Sequence, residues 1–119
     1  MRDAVILSTA RTGLAKAGRG SFNNTHGITM AGTAIKGAME RAGIDPGVVE
    51  DVYLGCAQPE GATGHNVARN AALWAGCPST ASGATINRFC SSGLQAVANA
   101  AWTINCLLYT SDAADEQWS

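Results

Sequence analysis

Bulky aromatic side chains are scarce in this sequence: two Phe, two Tyr and three Trp among 119 residues. Much of its 46% apolar share is Ala and Gly, which suits closely apposed helices and strands and not a core filled by large rings. Charge is sparse as well. Eight basic residues against nine acidic ones leave a net charge of −1, without the basic field that non-specific nucleic-acid binding requires. No apolar run is long enough to span a bilayer, so neither a nucleic-acid nor a membrane partner is expected. The opening Met1–Ser8 carries an early acidic residue, Asp3, and too short a hydrophobic run for a secretory signal. A cytoplasmic protein is the expectation. The four cysteines (Cys56, Cys77, Cys90 and Cys106) lack the close pairing of a zinc knuckle or a redox Cys-x-x-Cys. No metal site is expected, and without an export signal the thiols are read as reduced. The length allows at most one ordinary domain, or a piece of one.

What the sequence does contain is an alternation of strand-like and helix-like stretches. Ala4-Val5-Ile6-Leu7 reads as a strand buried on both faces. A loop rich in Gly and basic residues follows, including Gly18-Arg19-Gly20. Thr29 is placed to cap a helix whose apolar positions run from Met30 through Ile35 and Met39 to Ala42. Gly43 should stop that helix in a left-handed conformation, with Ile44 folding back over the last turn as in a Schellman cap. Asp51–Cys56 reads as a second strand, and the interval suits a βαβ crossover. A glycine-rich turn, Gly61 to Gly64, leads to a helix over about His65–Ala75 that Gly76 and Pro78 end. Ala84–Asn87 reads as a third strand. The last helix, after Cys90, is apolar on nearly every side apart from a narrow stripe of Gln95, Asn99 and Thr103. Such a helix must be enclosed, and this chain supplies too few elements to enclose it. The order β-α-β-α-β-α therefore points to an incomplete α/β domain, mainly parallel, with helices on the faces of its sheet.

Chemistry concentrates at Ile86-Asn87-Arg88-Phe89-Cys90-Ser91-Ser92-Gly93-Leu94. A cysteine at a strand-to-helix corner is lifted clear of the sheet and lies beside unpaired helix N–H groups. Those groups can bind the oxyanion of a carbonyl under attack, and the small residues after Cys90 let a substrate approach the backbone. Cys90 is accordingly the expected nucleophile. Cys56 and Cys77 are read as packing residues, Cys77 over a helix stop. His26 and His65, near helix starts, are read as making local polar contacts and not as bases for Cys90. The Gly18–Gly20 and Gly61–Gly64 turns have neither Walker nor dinucleotide spacing and are read as ordinary loops. Met30 and Met39 are read as core. Arg69 and Asn70 suit either a subunit contact or a solvated helix face.

Several of these stretches, Arg41-Ala42-Gly43-Ile44-Asp45-Pro46, Gly61–Arg69 and Asn87–Gln95 above all, resemble the thiolase family of acetyl-CoA acetyltransferases and 3-ketoacyl-CoA thiolases. The resemblance runs from Met1 to about Ile104. The Cys90-Ser91-Ser92-Gly93 wording is more similar to degradative 3-ketoacyl-CoA thiolases than to biosynthetic ones. What the resemblance implies is a truncated thiolase-like N-terminal domain over residues 1–104. Cys90 would be the cysteine that becomes acylated, and its own backbone N–H part of an oxyanion hole. Coenzyme A and acyl-CoA would be substrates, with no permanently bound cofactor, and the parent a homo-oligomer, dimer or tetramer. The family's catalytic histidine and second cysteine lie in a C-terminal half not found here, so the isolated chain is expected to be inactive. Residues 105–119 do not resemble thiolase and read as a foreign tail, similar to a translated adapter. The alternatives are a fragment of a ketoacyl-synthase-type condensing enzyme and a non-enzymatic interaction piece.

Overall fold

Two helices end in the same way, and those endings set the core. In this computed structural model, which describes residues 2–118 with side chains through Cys106, helix α1 spans Gly27–Ala42. Gly43 follows at φ 68°, the left-handed region that costs an L-side chain about 1–2 kcal/mol. Its N–H donates to Glu40 O at 3.1 Å, and the Ile44 N–H donates to Met39 O at 3.2 Å. This is the Schellman arrangement expected from the sequence. Helix α2, Val67–Trp74, ends likewise. Gly76 stands at φ 97°, its N–H donates to Leu73 O at 3.1 Å, and the Cys77 N–H reaches Ala72 O at 3.0 Å. Each motif turns its next apolar side chain back onto the helix. Cys77 joins the core of Met39, Ala72, Ala75 and Ala81, and Ile44 packs against it.

The sheet has two strands among the described residues, β1 (Asp51–Gly55) and β2 (Ser82–Ile86). They pair in parallel with Asp51 opposite Ser82 and Gly55 opposite Ile86, and α2 is the crossover between them. Helix α3 spans Ser92–Trp118. Its backbone crosses Asn105 without interruption, so the change of pattern expected there marks no change of element.

Small residues bring these layers together, as the composition suggests. Gly32 of α1 lies under the indole of Trp74 from α2. A Cβ at Gly83 would stand 2.8 Å from the Arg69 backbone, so β2 meets α2 almost main chain to main chain. The largest side chain among the buried hydrophobics is Met39. Met30, read as core, is only half-buried and lines a hollow beneath the Gly13–Gly18 loop.

Two expectations are corrected. The strand at Ala4–Leu7 does not form, and Val5, Ile6 and Leu7 are about three-quarters exposed. The segment is tethered to α1 instead: Ser8 Oγ donates to Ala38 O at 2.6 Å and Arg41 Nη1 to Thr9 O at 2.7 Å. An apolar run reports only a tendency to be covered, whereas a strand requires a second backbone to pair with. The fold class remains α/β, with five principal elements in the order α-β-α-β-α. The cap of α1 is also not Thr29. The helix begins three residues earlier, at Gly27, and His26 caps it, its Nδ1 accepting from the Ile28 N–H at 3.1 Å.

Gly43→Ala is expected to cost about 1–2 kcal/mol, because the left-handed φ must be kept to seat Ile44. The measurement is the urea midpoint of unfolding, and no change there would mean that the cap does not contribute.

Candidate active site

The corner after β2 is built by three local contacts. Asn87 Oδ1 accepts from the Phe89 N–H at 3.0 Å, turning the chain. Arg88 (φ −140°, ψ 41°) and Phe89 (φ 48°) then occupy unusual backbone regions; a left-handed bulky residue is a genuine outlier that its surroundings must hold. Phe89–Ser91 form a single 3₁₀ turn, closed by the Ser91 N–H to Arg88 O at 3.1 Å and by the Ser92 N–H to Phe89 O. Cys90 occupies the middle of that turn with its thiol exposed. Its N–H is not one of the donors that close the turn. The strand-to-helix corner expected from the sequence is therefore present, with a 3₁₀ turn inserted so that α3 starts two residues after Cys90.

Ser92 is the residue that sequence reasoning missed. It was grouped with Ser91 and Gly93 as small residues exposing the backbone. Gly93 fits that description, since the space beside it is open, but Ser92 is 4% exposed. Its Oγ accepts from the Arg88 N–H at 2.8 Å and donates to Phe89 O at 2.6 Å. Its backbone lies against the end of β1, where a side chain at Gly55 would collide with the carbonyl of Ser92 and the nitrogen of Gly93. The small residue that could have signalled this is Gly55, closing a strand just where another element approaches.

Arg88 has a definite direction. Its Nη1 donates to Gln95 Oε1 at 2.6 Å, and Gln95 Nε2 donates to Asn99 Oδ1 at 2.8 Å. Thr103 Oγ1 donates to Asn99 O at 2.9 Å and lies 2.8 Å from Tyr53 Oη. The polar stripe read from the sequence is thus half-buried, tied to the corner at Arg88 and to β1 at Tyr53. Arg88, Ser91, Leu94, Gln95 and Ala98 line a groove of about 380 Å³ along the first turns of α3, and Cys90 itself does not line it. No histidine lines it. His26 is the α1 cap, and His65, at φ 53°, offers its carbonyl to Asn70 Nδ2 at 3.1 Å. Arg69 binds its own chain, donating to Ala81 O at 2.8 Å and Ser79 O at 2.9 Å. A hollow of about 410 Å³ under the basic loop, lined by Leu14, Lys16, Phe22 and Met30 among others, has no cysteine or histidine in its lining. The Gly18–Gly20 segment beside it is a local turn, its Gly20 N–H donating to Lys16 O at 2.7 Å.

The thiols differ in setting. Cys77 is buried, its Sγ 4.0 Å from Met39 Sδ, and burial pushes its pKa upward. Cys56 is half-buried, and Cys106 is exposed like Cys90.

A family model described as the thiolase N-terminal domain matches residues 4–109. The chain belongs to the thiolase family. Among its relatives, a 3-ketoacyl-CoA thiolase of Bacillus subtilis is 44% identical over 101 residues, covering 85% of this chain and 26% of that protein. Proteins of the same name from Shewanella oneidensis and Idiomarina loihiensis are each 40% identical, over 105 and 101 residues, covering 87% and 84% of this chain. They are covered over 27% and 26% of their own length. The thiolase chain described here thus spans about a quarter of the length of the curated relatives it matches.

Two measurements follow from the thiol settings. Limiting iodoacetamide at pH 8, read by peptide mass spectrometry, should modify Cys90 and Cys106 well before Cys77; Cys77 modified first in a folded sample would contradict the packing. A folded-state pKa raised by burial contributes stability below the unfolded value of the thiol, and that stability is lost as pH rises through the raised folded value. Urea midpoints should therefore decline above about pH 9, and Cys77→Ala should remove that part of the decline.

Proposed function

We propose that Cys90 is the acyl-accepting nucleophile of a thiolase reaction and that this chain carries the acyl-binding corner of that site. The single observation that carries the reading is an exposed thiol in the turn that opens α3, with its own N–H outside the bonding of that turn. The name 3-ketoacyl-CoA thiolase borne by its relatives supplies the substrate class. In this reading the Cys90 thiolate attacks the 3-keto carbon of a 3-ketoacyl-CoA. A C–S bond forms and the carbonyl electron pair moves to oxygen, where the Cys90 N–H stabilises it. Collapse breaks the bond between the α and β carbons. The acetyl-CoA enolate leaves and takes up a proton, and a second coenzyme A removes the acyl group through its own thiol. Sulfur suits this exchange because thiolates are strong nucleophiles near neutral pH. It also makes the intermediate a thioester, nearly balanced against acyl-CoA, so the reverse condensation is open too.

Coenzyme A is a substrate here and not a resident cofactor. The parent enzyme is an acyltransferase of fatty acid metabolism, a cytoplasmic homo-oligomer. In this reading the chain alone captures an acyl group without turning over. The reading keeps residues 105–119 apart from the family portion, although the family match runs to residue 109. Resequencing the coding region across codons 104–119 tests that division, and a family-like reading frame there would remove it.

Mixing the chain with the C-terminal remainder of a related thiolase should restore acetoacetyl-CoA cleavage, followed by loss of its absorbance. Cys90→Ser should lower the restored rate by about a thousandfold or more. Equal rates with Ser at this position, or sustained turnover by the chain alone, would overturn the proposal.

A further inference from the structure

We infer that Ser92 is a positioning residue that aims the Cys90 N–H, acting through the peptide group between Phe89 and Cys90. The inference rests on the reading of Cys90 as the nucleophile. In a trans peptide the carbonyl and the following N–H lie in one plane and point in opposite directions, and no peptide bond among the described residues is cis. The carbonyl of Phe89 and the N–H of Cys90 belong to one such plane. Ser92 holds that carbonyl twice, by its Oγ at 2.6 Å and by its backbone N–H. Fixing that carbonyl on Ser92 holds the Cys90 N–H in the opposite direction, away from the Ser92 hydroxyl.

The same hydroxyl oxygen accepts from the Arg88 N–H at 2.8 Å. Ser92 thereby grips the peptide groups on both sides of the residues with unusual backbone angles, Arg88 and Phe89. Neither conformation is intrinsically preferred, so the corner depends on what holds it. Ser92 is well suited to the task because it is buried and its own backbone is pressed against Gly55 at the end of β1. The chain of support runs from the sheet to the Ser92 backbone, from its hydroxyl to the Phe89 carbonyl, and from that peptide to the Cys90 N–H. Serine has the required inventory, one donor and two acceptor sites on a single short side chain.

The distinguishing chemistry lies in which reactions of Cys90 need an oxyanion donor. Acetylation by 4-nitrophenyl acetate passes through a tetrahedral oxyanion. Sulfur attacks the carbonyl carbon, oxygen takes the electron pair, and collapse expels 4-nitrophenolate. Alkylation by iodoacetamide is displacement at a saturated carbon that expels iodide, and no oxyanion forms. A residue that only maintained the fold would change access to the thiol and move both rates together. A residue that aims the N–H changes their ratio.

The experiment measures both rates at Cys90 in the 119-residue chain, resolved by peptide mass spectrometry, for the wild type, Ser92→Ala and Ser92→Thr. Ser92→Ala should lower the ratio of acetylation to alkylation by about tenfold or more, since misaligning one such donor costs part of the 10²–10³ that its removal costs. Ser92→Thr, which keeps the hydroxyl, should hold the ratio within about threefold of the wild type, a small part of that span. If Ser92→Ala does not give folded protein by circular dichroism, Ser92→Gly carries the same comparison. An unchanged ratio in the variant lacking the hydroxyl, or an equal fall in Ser92→Thr, overturns the inference while leaving the role of Cys90 intact. A wild-type chain that alkylates at Cys90 without being acetylated there overturns the reading of Cys90 itself.

Discussion

The close approach of two backbones at Gly55 is the constraint on which the corner depends. Because that position has no side chain, the first turn of α3 lies directly on the end of β1, with Ser92 at the contact. A hydroxyl fixed there reaches the two peptide groups that bend the chain out of β2. The unusual backbone at Arg88 and Phe89 is thus held from the sheet side, and the thiol of Cys90 is left on the solvent side. Strain of this kind persists only where neighbouring structure over-determines it, and here the determining groups are a glycine and a buried serine.

The same economy of side chains runs through the layers. Gly83 brings β2 against α2, Gly32 brings α1 beneath Trp74, and the core between them is mostly alanine. Close spacing makes short polar side chains effective ties. Asn66 Nδ2 donates to Gly83 O at 2.9 Å, and Thr85 Oγ1, 2.8 Å from Asn66 Oδ1, accepts from the Ala68 N–H at 3.1 Å. A core of small residues buries little apolar area per side chain, so helix caps and hydrogen-bonded ties contribute a larger share of the specificity of this fold. Helix α3 contrasts with that interior. Leu94, Val97 and Trp102 are more than half exposed on it, in keeping with an incomplete domain.

Elements with a local cause were legible. Gly43 and Gly76 announce helix ends because only glycine enters the left-handed region without penalty, and both endings formed with the apolar residue after them folded back. The strands at Asp51 and Ala84 were readable from apolar patterning, with boundaries shifted by one or two residues, and so was the start of the helix after Cys90, which continues past the expected break at Asn105 to Trp118. Ala4–Leu7 was not, because its apolar pattern says nothing about whether a second strand lies alongside. His26 as a cap was hidden for a different reason: an imidazole Nδ1 serves where Ser, Thr, Asp or Asn are the usual residues.

At the corner, the sequence by itself determined which cysteine stands there, its place at the start of an apolar helix and the family of the chain, because these depend on residue identities in order along a short stretch. Only the tertiary structure decided that Ser92 turns inward while Cys90 turns outward, and that Arg88 lies along Gln95 and away from any histidine. Those directions are set by what β1 brings to within contact of α3. Contacts between residues more than thirty positions apart leave no periodic trace in the chain that makes them.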